Sequence, residues 1–368
     1  MADVMTDFSK QEFSRYTRHI QLSDFGVNGQ RKLKAARVLI VGCGGLGAPV
    51  SLYLAGAGVG HITLVDGDNV ELSNLQRQVI FSEADIGQSK SFCAQARLQQ
   101  LNSHITIEAI NKSLGTDNAA ELIAAADLVI DCTDNFAVRY LINDLCKAHN
   151  KAWLYASVYR FSGQCSLFTP HQSCFRCVFP QPPTHAPDCN SNGVLGVLPG
   201  ILGTIQATEA IKYLTDLPSG ISNTLLLVEA DDMQLQKVQL RKEKNCPVCH
   251  DGFVFNPTSP DYQILCDTTK VIDVSTTLPA KDFNDWQKRN DVVVVDVRDY
   301  DEHLAFNLGG LHIPLNELKE RIKELPTDKL ILLYCQSGVR SAAAALQLQS
   351  AELSALSVSG GIAQIISL

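Results

Sequence analysis

The stretch Ala36 to Gly47, ARVLIVGCGGLG, constrains this chain more than any other. An apolar strand runs into glycines at positions 42, 44, 45 and 47, and a helical pattern follows. Gly42, Gly44, Gly45 and Gly47 permit a tight turn in which an anion can approach bare backbone N–H groups at the positive end of the helix. The next strand, His61 to Val65, ends in Asp66-Gly-Asp68, which puts a carboxylate where folds of this kind bind a ribose hydroxyl. Strand before, helix after and acid beyond point together to a bound nucleotide. The competing reading is a glycine turn kept only for packing.

A chain of 368 residues accommodates two domains, each large enough for its own core. The formal charge of −8 argues against a general nucleic-acid binder, whose usual footprint is basic. The N-terminal MADVMTDFSK lacks a basic region followed by an apolar stretch, and the longest apolar run, Gly193 to Gly203, is too short to span a bilayer. These features lead us to expect a cytoplasmic protein with no membrane partner. Twelve cysteines without a secretory signal suggest metal ligands and reactive thiols more than disulfides.

After the glycine turn, the periodicity predicts alternating elements: strand 61–65, helix 84–102, strand 105–110, helix 118–126, strand 127–131, helix 135–149 and strand 152–157. Such alternation builds a doubly wound, mostly parallel sheet. Phe161 to Phe168 reads as an antiparallel strand, and 224–230 with 233–240 as a hairpin, so the expected sheet is mixed and Rossmann-like. Pro180 to Asn192 is rich in Pro, Asn and Asp and reads as a crossover loop before a helix over 198–214. On composition alone, Phe13 to Gln21 reads as a solvated basic turn. Prolines, Gly, Ser and Asn in Asp251 to Tyr262 mark a domain break. We therefore expect a domain over 1–250, a linker over 251–264, and a small α/β domain over 265–368. Its buried strands are expected at Val271–Val274, Val292–Val297 and Leu330–Tyr334, with helices near 280–289, 315–324 and 341–350.

Three constellations carry chemistry. Asn74, Gln76 and Arg77, then Lys90, then Asp134 converge on the nucleotide if ligands sit outside the carboxyl ends of the strands. Arg77 and Lys90 could neutralise a triphosphate, and Asp134 could hold Mg²⁺, a hard cation met by carboxylates and substrate phosphates. A dinucleotide-dependent oxidoreductase would use the glycine turn and Asp66 but would leave this cationic set unexplained. Cys174-x-x-Cys177 and Cys246-x-x-Cys249 supply all four thiolates of a closed structural Zn²⁺ site. Cys189 stands apart in the Pro/Asn-rich loop as a candidate nucleophile. Cys43, Cys93, Cys132, Cys146, Cys165 and Cys266 read as packing residues. Cys335 closes the strand LILLY and opens CQSGVRS, where loop N–H groups, a helix start and Arg340 would favour an anionic sulfur or persulfide. A phosphatase loop is the rival, but it usually has five residues between Cys and Arg, and here there are four.

Taken together, RYTRH with Arg18, VGCGGLG, the Asp66/Asp68 pair, SNLQRQ, GQSK, CTDN and both cysteine pairs make residues 1–250 resemble the MoeB/ThiF/HesA family of ubiquitin-activating-type adenylyltransferases. DVRDYDEH with Asp296 and Arg298, HIPL and CQSGVRS make 265–368 resemble a rhodanese domain. The resemblance implies ATP and Mg²⁺ as cofactors, with Asp66 on the ribose, Arg77 and Lys90 on the phosphates and Asp134 on the metal. Arg18 would reach across a homodimer, Cys189 would act as an acceptor thiol, and Cys335 would carry sulfur. The implied partner is a ubiquitin-like sulfur-carrier protein ending in Gly-Gly, with a cysteine desulfurase or another sulfane donor loading Cys335. A non-catalytic zinc-stabilised scaffold for such a partner is the alternative from another class. The chain ends at GGIAQIISL without the aromatic segment that often closes a rhodanese domain, so a short final helix is expected.

Overall fold

The computed structural model describes residues 7–181, 193–250, 252–262 and 277–366. They fall into two compact units, Met1–Cys266 and Asp267–Leu368. The first is built on β1 (Arg37–Val41), β2 (His61–Val65), β3 (Thr106–Ile110), β4 (Leu128–Asp131), β5 (Ala152–Tyr159), β6 (Ser162–Phe168), β7 (Thr224–Glu229) and β8 (Gln234–Gln239), in the sheet order 3-2-1-4-5-6-7-8. Pairs from β3 through β5 are parallel, and those from β5 to β8 are antiparallel. The sheet is mixed, as the sequence pattern predicts.

Helices cover both faces: α1 (Lys10–Ile20), α2 (Gly26–Ala35), α3 (Gly47–Ala57), α4 (Lys90–Leu101), α5 (Ala119–Ala125), α6 (Phe136–Ala148), α7 (Phe175–Val178) and α8 (Val197–Leu214). Because side chains alternate along a strand, Val38 and Ile40 join one core with Leu54, Leu98 and Leu202. Leu39 and Val41 join the other, with Tyr140, Trp153 and Phe175. Burial on both faces explains why β1 and β4 read as unbroken apolar runs.

In the first unit two expectations need correcting. Phe13–Gln21 is not a solvated turn but the rest of α1 and its C-cap Gln21, and the helix starts at a capping box: Ser9 N donates to Glu12 Oε2 at 2.8 Å, and Glu12 N to Ser9 Oγ at 3.1 Å. Tyr16 is buried, and Asn102 Nδ2 donates both to Tyr16 Oη at 2.9 Å and to the Ala55 carbonyl at 2.7 Å. These bonds pin α1 near the C-terminal end of α3. The second correction concerns the expected linker. The Tyr262 hydroxyl donates to Asp144 Oδ2 on α6 at 2.7 Å, and its ring stacks on Phe255 at 5.5 Å, so packing of the first unit continues through Tyr262. The turn-forming residues are real punctuation, but the aromatic pair anchors the segment.

The second unit is an all-parallel sheet of β9 (Thr277–Leu278), β10 (Val292–Asp296), β11 (Leu311–His312), β12 (Leu330–Tyr334) and β13 (Ala355–Val358), in the order 11-10-12-13-9. Its helices are α9 (Phe283–Trp286), α10 (Tyr300–Ala305), α11 (Leu318–Arg321), α12 (Val339–Gln349) and α13 (Gly361–Ile365). The helices expected over 280–289 and 315–324 shrink to one turn each, flanked by 3-10 turns. The expected strand Val271–Val274 lies outside the described residues. Among the described residues no helix is long and apolar enough to cross a membrane.

Candidate functional site

The sheet changes its winding direction between β1 and β4, and a crevice opens at their carboxyl ends, where open α/β sheets bind ligands. Gly42 continues β1 with φ +93°, and a Cβ there would come within 2.7 Å of the Cys132 carbonyl oxygen, so only glycine fits. The cavity at this point measures about 300 Å³. That is at the small end of the range for small-molecule sites. Gly42, Gly44 and Gly45 line its base, and Asp66 and Asp68 its β2 side.

Asp66 is buried and accepts two backbone N–H groups, from Cys43 at 2.7 Å and from Asp68 at 2.8 Å. Burial raises its carboxyl above the usual range against the pull of these donors. Lys90, also buried, is the first residue of α4, and its Nζ donates to Asp68 Oδ2 at 2.9 Å. Arg77 and the exposed Asp134 complete the polar lining foreseen from the sequence. The residues foreseen from the sequence thus bring two cations and three carboxylates to one glycine cradle.

Other predicted residues stand behind the cavity. Gly47 is needed because a Cβ would collide with the Gly42 carbonyl as α3 begins. Asn74 Oδ1 accepts from Glu71 N at 3.1 Å and shapes the turn that delivers Arg77. Gln76 lies against Gly196, where a Cβ would fall 2.6 Å from the Gln76 carbonyl oxygen. Arg18 is exposed on α1 and does not line the cavity of its own chain. Cys189 lies outside the described residues.

The sequence reading missed Gln78 and Arg139. Gln78 lines the cavity, is buried, and has no hydrogen-bond partner for its Oε1 among the described residues, which leaves a polar atom suited to a polar ligand. Arg139 Nη2 donates to the Thr133 carbonyl at 2.7 Å, and Nε to the fully buried Asp131 at 3.3 Å. Burial raises the Asp131 carboxyl although Arg139 and Thr133 pull it down. A readable signal existed here: arginine in the first turns of a helix opposes the macrodipole and so calls for an anion.

Away from the cavity, Cys174, Cys177, Cys246 and Cys249 bring all four sulfurs within 4.8 Å of one another. The sulfurs of Cys174 and Cys246, Cys177 and Cys249, and Cys174 and Cys177 are 3.6, 3.7 and 3.8 Å apart. A tetrahedron of thiolates about 2.3 Å from Zn²⁺ has edges of about 3.8 Å, so the cluster fits that ion and leaves no position for a substrate. On the same knuckle, Arg176 donates to Asp144 from Nη2 at 2.7 Å and pairs with Asp261 at 2.8 Å, tying the cluster to α6 and to the segment ending at Tyr262.

In the second unit Cys335 follows β12 and is fully buried. Its Sγ accepts from Gly338 N at 3.2 Å, Ser341 N at 3.4 Å and the Ser341 hydroxyl at 3.6 Å. Gly338 has φ +88°, and a Cβ there would press on Gly360 N at 2.9 Å, so the loop is curled tightly at the start of α12. This nest of donors suits a sulfur anion. The buried Asp296, expected from the DVR motif, is held by Arg298 through Nη2 at 2.7 Å and Nε at 3.0 Å. Burial pushes its carboxyl up, but Arg298 and His303 outweigh that and leave it below the usual range.

A glycine-cradled nucleotide crevice, a four-thiol knuckle and a separate cysteine-centred loop together define a nucleotide-dependent enzyme coupled to sulfur transfer. The chain belongs to the ThiF family, whose model matches residues 16–248, and it carries a Rhodanese-like domain over 279–367. It is 37% identical over 378 residues to the probable adenylyltransferase/sulfurtransferase MoeZ of Mycobacterium tuberculosis, covering 98% of this chain and 95% of that protein. The sulfur carrier protein adenylyltransferase of Thermus thermophilus is 41% identical over 270 residues, 70% of this chain and 98% of that protein. Among solved structures, E. coli MccB with ATP is similar at 26% identity and a TM-score of 0.57, covering 66% of this chain and 76% of that one. The dinucleotide-oxidoreductase alternative gives way to this family membership.

Proposed function

We propose that the first unit adenylates the C-terminal glycine of a ubiquitin-like sulfur-carrier protein ending in Gly-Gly, and that Cys335 then supplies sulfur to convert it to a thiocarboxylate. The observation that carries this reading is the single crevice where the glycine cradle meets Asp66, Arg77, Lys90 and Asp134. ATP would lie with its ribose at Asp66 and its phosphates between the cradle, Arg77 and Lys90. Asp134 would hold Mg²⁺, which supplies charge neutralisation on the phosphates. The carrier carboxylate oxygen attacks the α-phosphorus, the bond to the β-phosphate oxygen breaks, and pyrophosphate leaves. A persulfide on Cys335 then attacks the acyl carbon through its outer sulfur, expelling AMP and forming an acyl disulfide. Attack by a second thiolate, Cys189 in this reading, on Cys335 Sγ releases the thiocarboxylate and leaves a disulfide for an external thiol to reduce.

The test is pyrophosphate exchange into ATP with purified small carriers. Exchange should require a carrier with an intact Gly-Gly end and should survive Cys335→Ala, while thiocarboxylate formation from a sulfane donor should not. Absence of exchange with every such carrier, or its collapse in folded Cys335→Ala, overturns the scheme.

A further inference from the structure

Arg340 closes the Cys335 loop, and both of its terminal nitrogens are already engaged. Nη1 donates to Glu302 Oε2 at 2.6 Å and Nη2 to Glu302 Oε1 at 2.7 Å, while Asp299 Oδ2 lies 3.7 Å from Nη1. The fork is a bidentate pair, the geometry in which guanidinium and carboxylate bind each other best. The side chain of Arg340 is only 17% exposed, so solvent does little to loosen it. Arg298 on the neighbouring strand end is likewise held, by Asp296 and the Phe306 carbonyl. Both arginines of this loop and its flank are therefore matched to carboxylates. The Cys335 sulfur draws its hydrogen bonds from Gly338 and Ser341 and none from Arg340.

A small oxoanionic sulfur donor such as thiosulfate arrives as a dianion and needs a free cation beside the sulfur. Here it would meet an arginine flanked by two carboxylates. A thiol persulfide carries at most a single charge, on the outer sulfur itself, and brings no oxoanion group that needs the arginine. The two elements joined by the ion pair also expose apolar side chains, Tyr300 and Leu304 on α10 and Val339 beside Arg340, which suits a protein surface better than an ion.

We propose that Glu302 is a positioning residue that sets donor specificity: it holds Arg340 away from oxoanionic donors, so that Cys335 takes sulfur from a thiol persulfide carried by a partner protein and not from free thiosulfate. The inference rests on the sulfur-carrying role proposed for Cys335. In the step it governs, the Cys335 thiolate attacks the outer sulfur of the donor persulfide. The new S–S bond forms as the donor's own S–S bond breaks, and the donor leaves as a thiolate with the electron pair, so no external oxidant or reductant is needed.

The experiment loads the whole, reduced chain in single turnover, with either thiosulfate or a cysteine persulfide capped at its amine and carboxylate, so that its only charge is on the outer sulfur. Loading is read as the mass gain of one sulfur atom on Cys335, with Cys335→Ala as blank. The wild-type chain should load faster from the persulfide. Glu302→Gln keeps the capping box with Asp299, since glutamine serves at that position, but removes the charge that holds Arg340. It should raise the thiosulfate-to-persulfide rate ratio about tenfold, the worth of one charge-assisted hydrogen bond, mainly through a lower half-saturating thiosulfate concentration. Adding Arg340→Gln should return the ratio to the wild-type value, which a merely structural role for Glu302 would not produce. Should Glu302→Gln fail to fold, Asp299→Asn removes the second carboxylate while keeping a good N-cap, and should shift the ratio in the same direction by less. An unchanged or lower ratio, or thiosulfate as the better wild-type donor, overturns the proposal. If neither donor loads wild-type Cys335, the sulfur-carrying role itself fails, and donor specificity falls with it.

Discussion

Lys90 shows how single residues mark the nucleotide crevice. Its ammonium is buried at the first position of α4, where the helix dipole is unfavourable to a cation, and its ion-pair partner, Asp68, is 72% exposed. A position so costly to a lone cation makes sense beside an anionic ligand. Lys90→Ala should therefore cut carrier-dependent pyrophosphate exchange by about 10²- to 10³-fold, the usual loss when one donor to developing charge is removed. Thermal unfolding should move by only a few degrees, because Asp68 remains solvated. A stability loss large enough to explain the lost exchange would recast Lys90 as structural. At this scale the sequence was legible where a motif named residues that the fold brings to one crevice, as for Asp66, Arg77, Lys90 and Asp134. It was silent where a role depends on what the side chain meets. Glu302 reads as one acid among several in DYDEH until its contact with Arg340, 38 residues away, is seen.

Among elements, the four-cysteine knuckle has consequences beyond its own loop. Arg176 lies between Cys174 and Cys177, and its contacts with Asp144 and Asp261 connect the cluster to α6, which begins at the crevice beside Asn135 and Arg139. The purified protein is expected to contain one zinc per chain, and strong chelation should lower its melting temperature and weaken ATP binding together. Freshly prepared protein without zinc would sink this expectation, and a chelated protein that kept both properties would sink the coupling. Long elements with clear periodicity, from β1 to α8, were readable because burial follows a repeat that the sequence displays. The one-turn helices and the two-residue strands β9 and β11 were not, since their register is set by neighbours brought in from elsewhere. The first helix was misjudged for another reason. Its basic composition hid a capping box, Ser9 to Glu12, and a single buried aromatic, Tyr16.

For the whole molecule, the position of Arg18 makes the proposed twofold assembly testable. The α1 helix is pinned near the C-terminal end of α3, whereas the glycine cradle lies at the N-terminal end of that helix. Eleven residues at about 1.5 Å each separate the two ends by roughly 16 Å, and Arg18 does not line its own crevice. If Arg18 serves a nucleotide, that nucleotide belongs to a second copy. Arg18→Ala and Asp134→Asn homodimers should each be nearly inactive in adenylation, the first lacking a phosphate contact and the second a metal ligand. In a mixed twofold dimer one crevice would carry both defects and the other neither. Random reassociation makes about half of the dimers mixed, so about a quarter of wild-type exchange should return. If Arg18 acts within its own chain, every crevice keeps one defect and no activity returns. Verified subunit exchange without recovery would therefore take Arg18 out of the neighbouring site and remove the argument that adenylation requires a dimer.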